Sequence, residues 1–222
     1  MKRYKHINLF LLLLLSVLFF EVNSCFGQDK YFLETPKTFY GGLLIGTNFT
    51  QVDGDDFAGY DKTGLNVGAI VYTTLDENVA ASMEILYSQK GSEAHYAQIL
   101  QPGIYFTNYG IKLNYAEIPI MINYFVKHKS NVGAGLSYSR LANSSEYITT
   151  SPPQYFDLNK YPFKKDDLNL LLGGNVHFGK GLYLNIRFQY SLLSIRDKIP
   201  QDYSKAAQYN NLWVIRLMYL FY

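Results

Sequence analysis

The chain has 222 residues, of which 17% are charged and 17% aromatic, with 21 Tyr and 15 Phe beside a single Trp; its formal charge is +2 and its mean hydropathy is −0.08. Soluble domains carry charge on roughly a quarter of their residues, so this chain is charge-poor and aromatic-rich. The hydropathy excludes a bundle of transmembrane helices, and no clustered basic excess marks a nucleic-acid surface.

Lys2, Arg3 and Lys5 precede an apolar run from Leu9 to Phe20. A secretory signal peptide has this form, and the run is too short for a spanning helix of roughly 20 residues. Cys25 and Gly27 supply the small-x-small pattern before a cleavage site, so residues 1–27 read as the signal peptide, cut before Gln28, and 28–222 as one domain. A competing reading makes Cys25, preceded by Ser24, a lipid-bearing anchor, although Val22 and Asn23 make a poor lipobox. Cleavage removes Lys2, Arg3, Lys5 and Glu21, so the net charge belongs to the leader and the mature chain is neutral. It also removes Cys25, the chain's one cysteine, and with it any disulfide framework or thiol chemistry.

Asp29–Lys37, with Pro36, reads as an unstructured lead. Phe39–Gln51 is the first strand, with Ile45, Thr47 and Phe49 alternating with Gly46, Asn48 and Thr50. An Asp- and Gly-rich loop follows, then a second strand over Gly64–Thr74 and a tight turn at "LDEN". The third strand, Val79–Ser88, sets Val79, Ala81, Met83, Ile85 and Tyr87 against Ala80, Ser82, Glu84, Leu86 and Ser88. A long connection, Gln89–Gly110, leads to a fourth strand, "KLNYAEIPIMINYF", from Lys112 to Phe125. There Ile118, Ile120, Ile122 and Tyr124 share one face, while Glu117, Pro119 and Asn123 occupy the other. After the turn "KHKS", the fifth strand, Asn131–Ala142, alternates Val132, Ala134, Leu136 and Tyr138 with Gly133, Gly135, Ser137 and Ser139. A second long connection, Asn143–Lys165, carries Pro152, Pro153 and Pro162. The sixth strand is Asp166–Gly179 and the seventh begins at Leu182 after a "GKG" turn. A loop with Pro200 precedes the last strand, "NLWVIRLMYLFY".

The count is eight strands, with long links after the odd-numbered ones and short turns after the even-numbered ones. Strands of 10 or more residues suffice for a tilted crossing, which takes roughly 9–11. Closing an even number of them removes the unpaired edges that lipid does not tolerate. The sequence therefore predicts an all-β, eight-stranded antiparallel up-and-down transmembrane β-barrel with lipid on the apolar face and a narrow polar interior.

Four charges fall on faces assigned inward: Glu84, Glu117, Arg187 and Arg216. Two acids and two bases balance, as a narrow interior requires, because an unpaired buried charge is very costly. One reading is a structural salt-bridged plug, since eight strands leave room mostly for side chains; the other is a polar pore or proton-binding site. Glu117 is expected to meet Arg187 or Arg216 across the lumen. His95, His128 and His177 have no ligand spacing, so no metal or other cofactor is expected. Ser88 and His95 near the outer rim form the one pair with any resemblance to a nucleophile and its base.

"GTNFTQVDGDD" after the first strand, "EILYSQKG" closing the third and "NYAEIPIMINY" in the fourth resemble the PorT-like outer-membrane β-barrel proteins of Bacteroidota over nearly the whole mature chain. Ala116 stands where that family often has Leu. The resemblance implies an eight-stranded barrel in the outer membrane of a Gram-negative bacterium. It also brings in view the secretion and gliding machinery to which the founding member is linked, although fold alone does not carry function.

The reading that results is a non-enzymatic outer-membrane barrel, structural or adhesive or accessory to an envelope complex, acting through its long outer loops. Its expected partners are membrane lipid and envelope or secretion-complex proteins. The alternatives are a secretion or gliding accessory, an outer-membrane lipid-modifying enzyme, and a soluble barrel with a small apolar ligand. The soluble barrel would need apolar residues inward, where the strands place Gly, Ser, Asn, Glu and Arg. The mature protein should begin at Gln28 by N-terminal sequencing and stay with the membrane through a carbonate wash; release without detergent would sink the membrane assignment.

Overall fold

The computed structural model describes residues 39–55, 57, 59–94, 98–101, 104–126, 129–155, 157–199 and 204–221. Residues 1–27, read above as a signal peptide, with Cys25 among them, the lead segment, His95, His128 and Pro200 lie outside the described residues. Nine strands form one sheet: β1 (Phe39–Asp55), β2 (Lys62–Asp76), β3 (Val79–Ala94), β4 (Gln98–Gln101), β5 (Ile104–Phe125), β6 (Asn131–Ser151), β7 (Asp166–Gly179), β8 (Leu182–Ser191) and β9 (Ser204–Leu220). Each of the eight long strands pairs antiparallel with its neighbours, β1 also joins β9, and β3 joins β5 to close the ring. The eight-stranded barrel is as the alternation predicts. The ninth strand, β4, is a four-residue addition that folds back on β5 beside Phe106.

The strands are longer at one end than the alternation of apolar residues indicates. β3 continues to Ala94, β5 begins at Ile104 and β6 reaches Ser151, so most of the connection placed at 89–110 and the first part, 143–151, of the one placed at 143–165 are ladder. The reason lies on the outward face. Below this end it carries Ile, Leu and Val; above, it carries Lys112, Asn114, Asn143 and Ser145, which suit water and resemble a loop in sequence. The register here is held by specific devices. Ala142 bulges from β6, since Asn114 faces Asn143 while Tyr115 faces Leu141. The Tyr147 ring lies against Gly110, where a side chain would stand, and its hydroxyl donates to Glu93 at 3.0 Å; an aromatic covering a strand glycine restores the packing that the glycine lacks. By contrast β7 spans Asp166–Gly179 as read from sequence.

Pro119 does not cause a bulge. Pairing of β5 with β3 skips the Pro119 position but resumes in the same register, Met83 with Ile120 and Leu86 with Glu117. A missing N–H deletes one ladder bond and nothing more.

The outward faces form an apolar belt. Ile45, Ile85, Ile120, Leu136, Trp213 and Leu217 are all exposed, Ile85 at 65%, an arrangement that belongs in hydrocarbon. The short turns at Glu77–Asn78, 126–130 and 179–181 share one end of the barrel with Phe39. Lys129 (φ 63°) and Lys180 (φ 48°) take the left-handed conformation that two of these turns need.

The inner face changes character along the axis. At the turn end and the middle it is polar and charged. At the loop end it is apolar: Val52, Phe57, Ala94, Tyr109, Ile111, Leu113, Tyr115, Ile195 and Ile199 form one buried cluster, with Leu141, Ile148, Tyr161 and Phe163 against it. Phe57 stacks on Tyr109 with ring centroids 4.3 Å apart. The expectation of a uniformly polar interior is therefore corrected. Above the membrane the lumen needs no matching to lipid, and it is filled as a soluble core is.

The barrel is tight enough that inward glycines are required where strands approach. A Cβ on Gly135 would lie 2.0 Å from the Ile120 carbonyl oxygen and 2.7 Å from Met121 Cα. Gly135→Val should force β5 and β6 apart, cost at least about 1–3 kcal/mol, and lower the temperature at which the heat-dependent electrophoretic shift of the folded barrel is lost.

Candidate functional site

The buried charges of the lumen lie in tiers, each built from residues that strand parity turns inward. In the tier toward the turn end, Glu84 on β3 sits between Arg187 on β8 and Arg216 on β9. Arg216 Nη1 donates to Glu84 Oε2 at 2.9 Å and Arg187 Nη1 to the same oxygen at 3.1 Å; Arg187 Nη2 binds Oε1. Arg216 also donates to Asn185 Oδ1 through Nε at 2.9 Å and Nη2 at 2.7 Å, and to Asn66 Oδ1 at 3.2 Å. An amide ladder continues from there, Asn185 to Asn175 at 2.8 Å and Asn175 to Asn131 at 2.7 Å. All three charged side chains are at most 2% exposed.

The second tier is centred on Lys90. Its ammonium lies 2.5 Å from Glu117 Oε1 and 3.8 Å from Asp167 Oδ2, and it stands 4.8 Å over the Tyr115 ring. Ser139 and Gln189 donate to the same Glu117 oxygen at 2.9 and 3.2 Å. Ser191 and Asn210 donate to Asp167 Oδ2 at 2.9 and 3.0 Å. Asn48, Asn66 and Ser88 join the two tiers, Asn48 donating to Ser88 Oγ at 3.0 Å and Asn66 to Asn48 Oδ1 at 3.0 Å.

The partner expected for Glu117 is thus corrected. Arg187 and Arg216 are both taken by Glu84, and Glu117 pairs with Lys90. Lys90 lies four residues beyond Leu86, the ladder partner of Glu117, and its flexible stem reaches back down. Sequence reading placed Lys90 in a loop and did not single out Asp167, although both continue inward faces already drawn: Lys90 follows Glu84, Leu86 and Ser88, and Asp167 precedes Asn169.

A third pair closes the mouth. Arg196, in the segment after β8, binds Glu146 on β6 through both terminal nitrogens at 2.7 and 3.0 Å, reaches Gln208 through Nε at 2.9 Å, and covers the Phe163 ring at 4.1 Å. Outside it, Lys164 donates to Asp197 at 2.7 Å. That contact holds the exposed Asp197 carboxyl below its ordinary range, so any loop order it contributes is present above the ordinary carboxylate range and lost as pH falls through the lowered value.

Ser88 is fully buried in the lumen rather than near the outer rim, and its hydroxyl is engaged by amides. It has none of the surroundings of a nucleophile. His177 lies near the turn end, its ring 4.8 Å from Tyr183. Among the described residues no group of three His, Cys, Asp or Glu side chains is arranged to hold a metal ion.

A family described as "outer membrane protein beta-barrel domain" matches residues 26–197. The chain belongs to this family. It is an outer-membrane β-barrel. No curated protein matches it. Among solved structures it is similar to Ail, the attachment invasion locus protein of Yersinia pestis, in complex with the heparin analogue sucrose octasulfate: 12% identity, 83% of this chain and 100% of that one, TM-score 0.42. It is also similar to Neisserial surface protein A, with 11% identity, 83% and 98% coverage and TM-score 0.45, and to OprG of Pseudomonas aeruginosa, with 9% identity, 83% and 94% coverage and TM-score 0.37. These likenesses are of fold.

Removing one member of a buried ion pair leaves its partner uncompensated, at about 3–5 kcal/mol. Lys90→Met strands two carboxylates and should destabilise the barrel in urea titrations in detergent. Glu117→Leu should do so less, because Asp167 remains for Lys90; a Glu117→Leu barrel with full heat resistance would remove Glu117 from the network.

Proposed function

We propose that this outer-membrane barrel is non-enzymatic and works from its exterior, as a structural or adhesive element or an accessory of an envelope complex. Residues 1–27 then serve as its export signal. The observation that carries the reading is the filled lumen. The charges at Glu84, Glu117, Arg187 and Arg216, joined by Lys90 and Asp167, are buried and paired, and the apolar cluster around Tyr109 lies above them. Such a network holds the barrel wall together and occupies the space that an aqueous path would need. The function then falls to what stands beyond the belt at the loop end, which in outer-membrane barrels faces the exterior. There the open end of the β5–β6 ladder rises well above the belt, and the segment after Ser151 presents Pro152, Pro153, Gln154 and Tyr155 to solvent, Tyr155 at 92% exposure. An aromatic segment held at the end of a rigid pair of strands suits recognition.

The resemblance of "EILYSQKG" and "NYAEIPIMINY" to PorT-like proteins supports one form of this reading, an accessory of a secretion or gliding system. A lipid-modifying activity through Ser88 finds no support in the buried setting of that hydroxyl.

In planar bilayers the purified barrel should give no stable conductance steps. Replacing residues 152–157 by a Gly-Ser segment of equal length should leave its heat-dependent electrophoretic shift intact and abolish co-purification with envelope partners or adherence of whole cells. Conductance altered by Glu84→Gln, or binding unaffected by the loop replacement, would sink the reading.

A further inference from the structure

We propose that the barrel wall carries a seat for one anionic phospholipid at the turn end, in the leaflet that this end faces. The inference rests on the membrane setting of the barrel and not on the role given to the loops. The outward face also carries small residues at Ala69, Ala81, Ala116 and Ala134, and the Phe221 ring lies 3.9 Å from the Cβ position of outward Gly41, but at Gly174 the wall opens into a groove. Gly174 is the outward residue between Leu172 and Val176 on β7, flanked in the ladders by Val132 on β6 and Ile186 on β8. The missing side chain leaves a groove of about 630 Å³ in the wall, lined by Val126, Val132, Leu172, Val176, Ile186 and Trp213. That volume is in the range of ligand clefts, roughly 300–1,000 Å³. The Phe188 and Trp213 rings, 5.1 Å apart, stand toward the middle of the bilayer; Ser130 and Asn131 mark the other end of the groove.

Its polar end is basic. Lys129 directly precedes Ser130 and lies within electrostatic reach of His177. Lys180 occupies the neighbouring turn, beyond the end of β7. The turns at 126–130 and 178–182 contain no acidic residue, and neither do the lower halves of β6, β7 and β8. The nearest acids in sequence at this end, Asp76 and Glu77, belong to the separate β2–β3 turn. An apolar groove continuous with the lipid belt and ending under two lysines that form no ion pair among the described residues matches one chemistry: an acyl chain in the groove and a phosphate of net negative charge at Lys129 and Lys180. A tail held there gains dispersion contacts on several sides, which a smooth wall does not offer. The lysines supply headgroup selectivity, each worth roughly fivefold near an anionic surface.

The test is native mass spectrometry of the whole barrel in non-ionic detergent, titrated with phosphatidylglycerol or with phosphatidylcholine of the same chains. One phosphatidylglycerol should be retained, at least about fivefold more tightly than phosphatidylcholine. Lys129→Asn with Lys180→Asn, which keeps a residue tolerant of the left-handed turn, should erase that preference and leave weak retention of both lipids. Gly174→Leu fills the groove and should abolish retention of both; its Cβ meets only the Asn131 carbonyl oxygen closely, at 3.0 Å. Val132→Phe fills the same groove from β6 and serves if the first variant does not fold, as judged by the heat-dependent shift. Equal retention of the two lipids by the unaltered barrel, retention unchanged by filling the groove, or a dimer that filling dissolves would each overturn the proposal, the last by giving the groove to a second copy of the chain.

Discussion

An eight-stranded barrel has no room for bulk water, so every charge inside it must be compensated by its neighbours, and that requirement shapes the rest of this structure. Glu84 lies between two guanidiniums, and Lys90 lies between two carboxylates. Each tier by itself carries one charge in excess, of opposite sign to the other. The lumen is neutral only when both are present, and the amides of Asn48 and Asn66 with the hydroxyl of Ser88 fill the space between them. Desolvating ions in this way gains little unless geometry and further hydrogen bonds are nearly complete. Here Arg216 is matched by Glu84, Asn185 and Asn66, and one oxygen of Glu117 by Lys90, Ser139 and Gln189.

The same shortage of space explains the small residues of the wall. Gly135 lets β5 and β6 close on each other where a side chain would meet backbone. Beyond the belt the constraint relaxes, because outward residues there meet water and inward ones need only pack. The Tyr109–Ile111–Leu113–Tyr115 face of β5 then forms an ordinary apolar core with Phe57, Ile195 and Ile199. Arg196 fastens the segment after β8 to Glu146 above it.

A barrel closed in this way has two surfaces left on which to act. At the loop end these are the extended ladder of β5 with β6 and a proline- and tyrosine-bearing segment; on the lipid side, the wall itself, with its opening at Gly174 between Val132 and Ile186. One glycine in a strand whose other outward positions within the belt are Leu168, Leu170, Leu172, Val176 and Phe178 is a local departure that lipid contact alone does not require.

The two-residue period by itself determined the class of fold, the eight barrel strands, their faces and the inward direction of Glu84, Glu117, Arg187 and Arg216, because one apolar face per strand is a local property of the chain. It also brought β7 out with its correct ends, since Asp166 and the "GKG" turn bound it. Three things were decided only in the tertiary structure. The strand ends above the belt escaped notice because a water-facing strand and a loop have the same composition. Lys90 and Asp167 are not legible in the sequence, because adding one cation and one anion leaves a balance of charges unchanged. The pairing itself, Glu84 with both arginines and Glu117 with Lys90, depends on the stagger of strands around the closed ring and on how far a lysine stem reaches across it. Parity tells a side chain which way to point; only closure of the barrel tells it whom it meets.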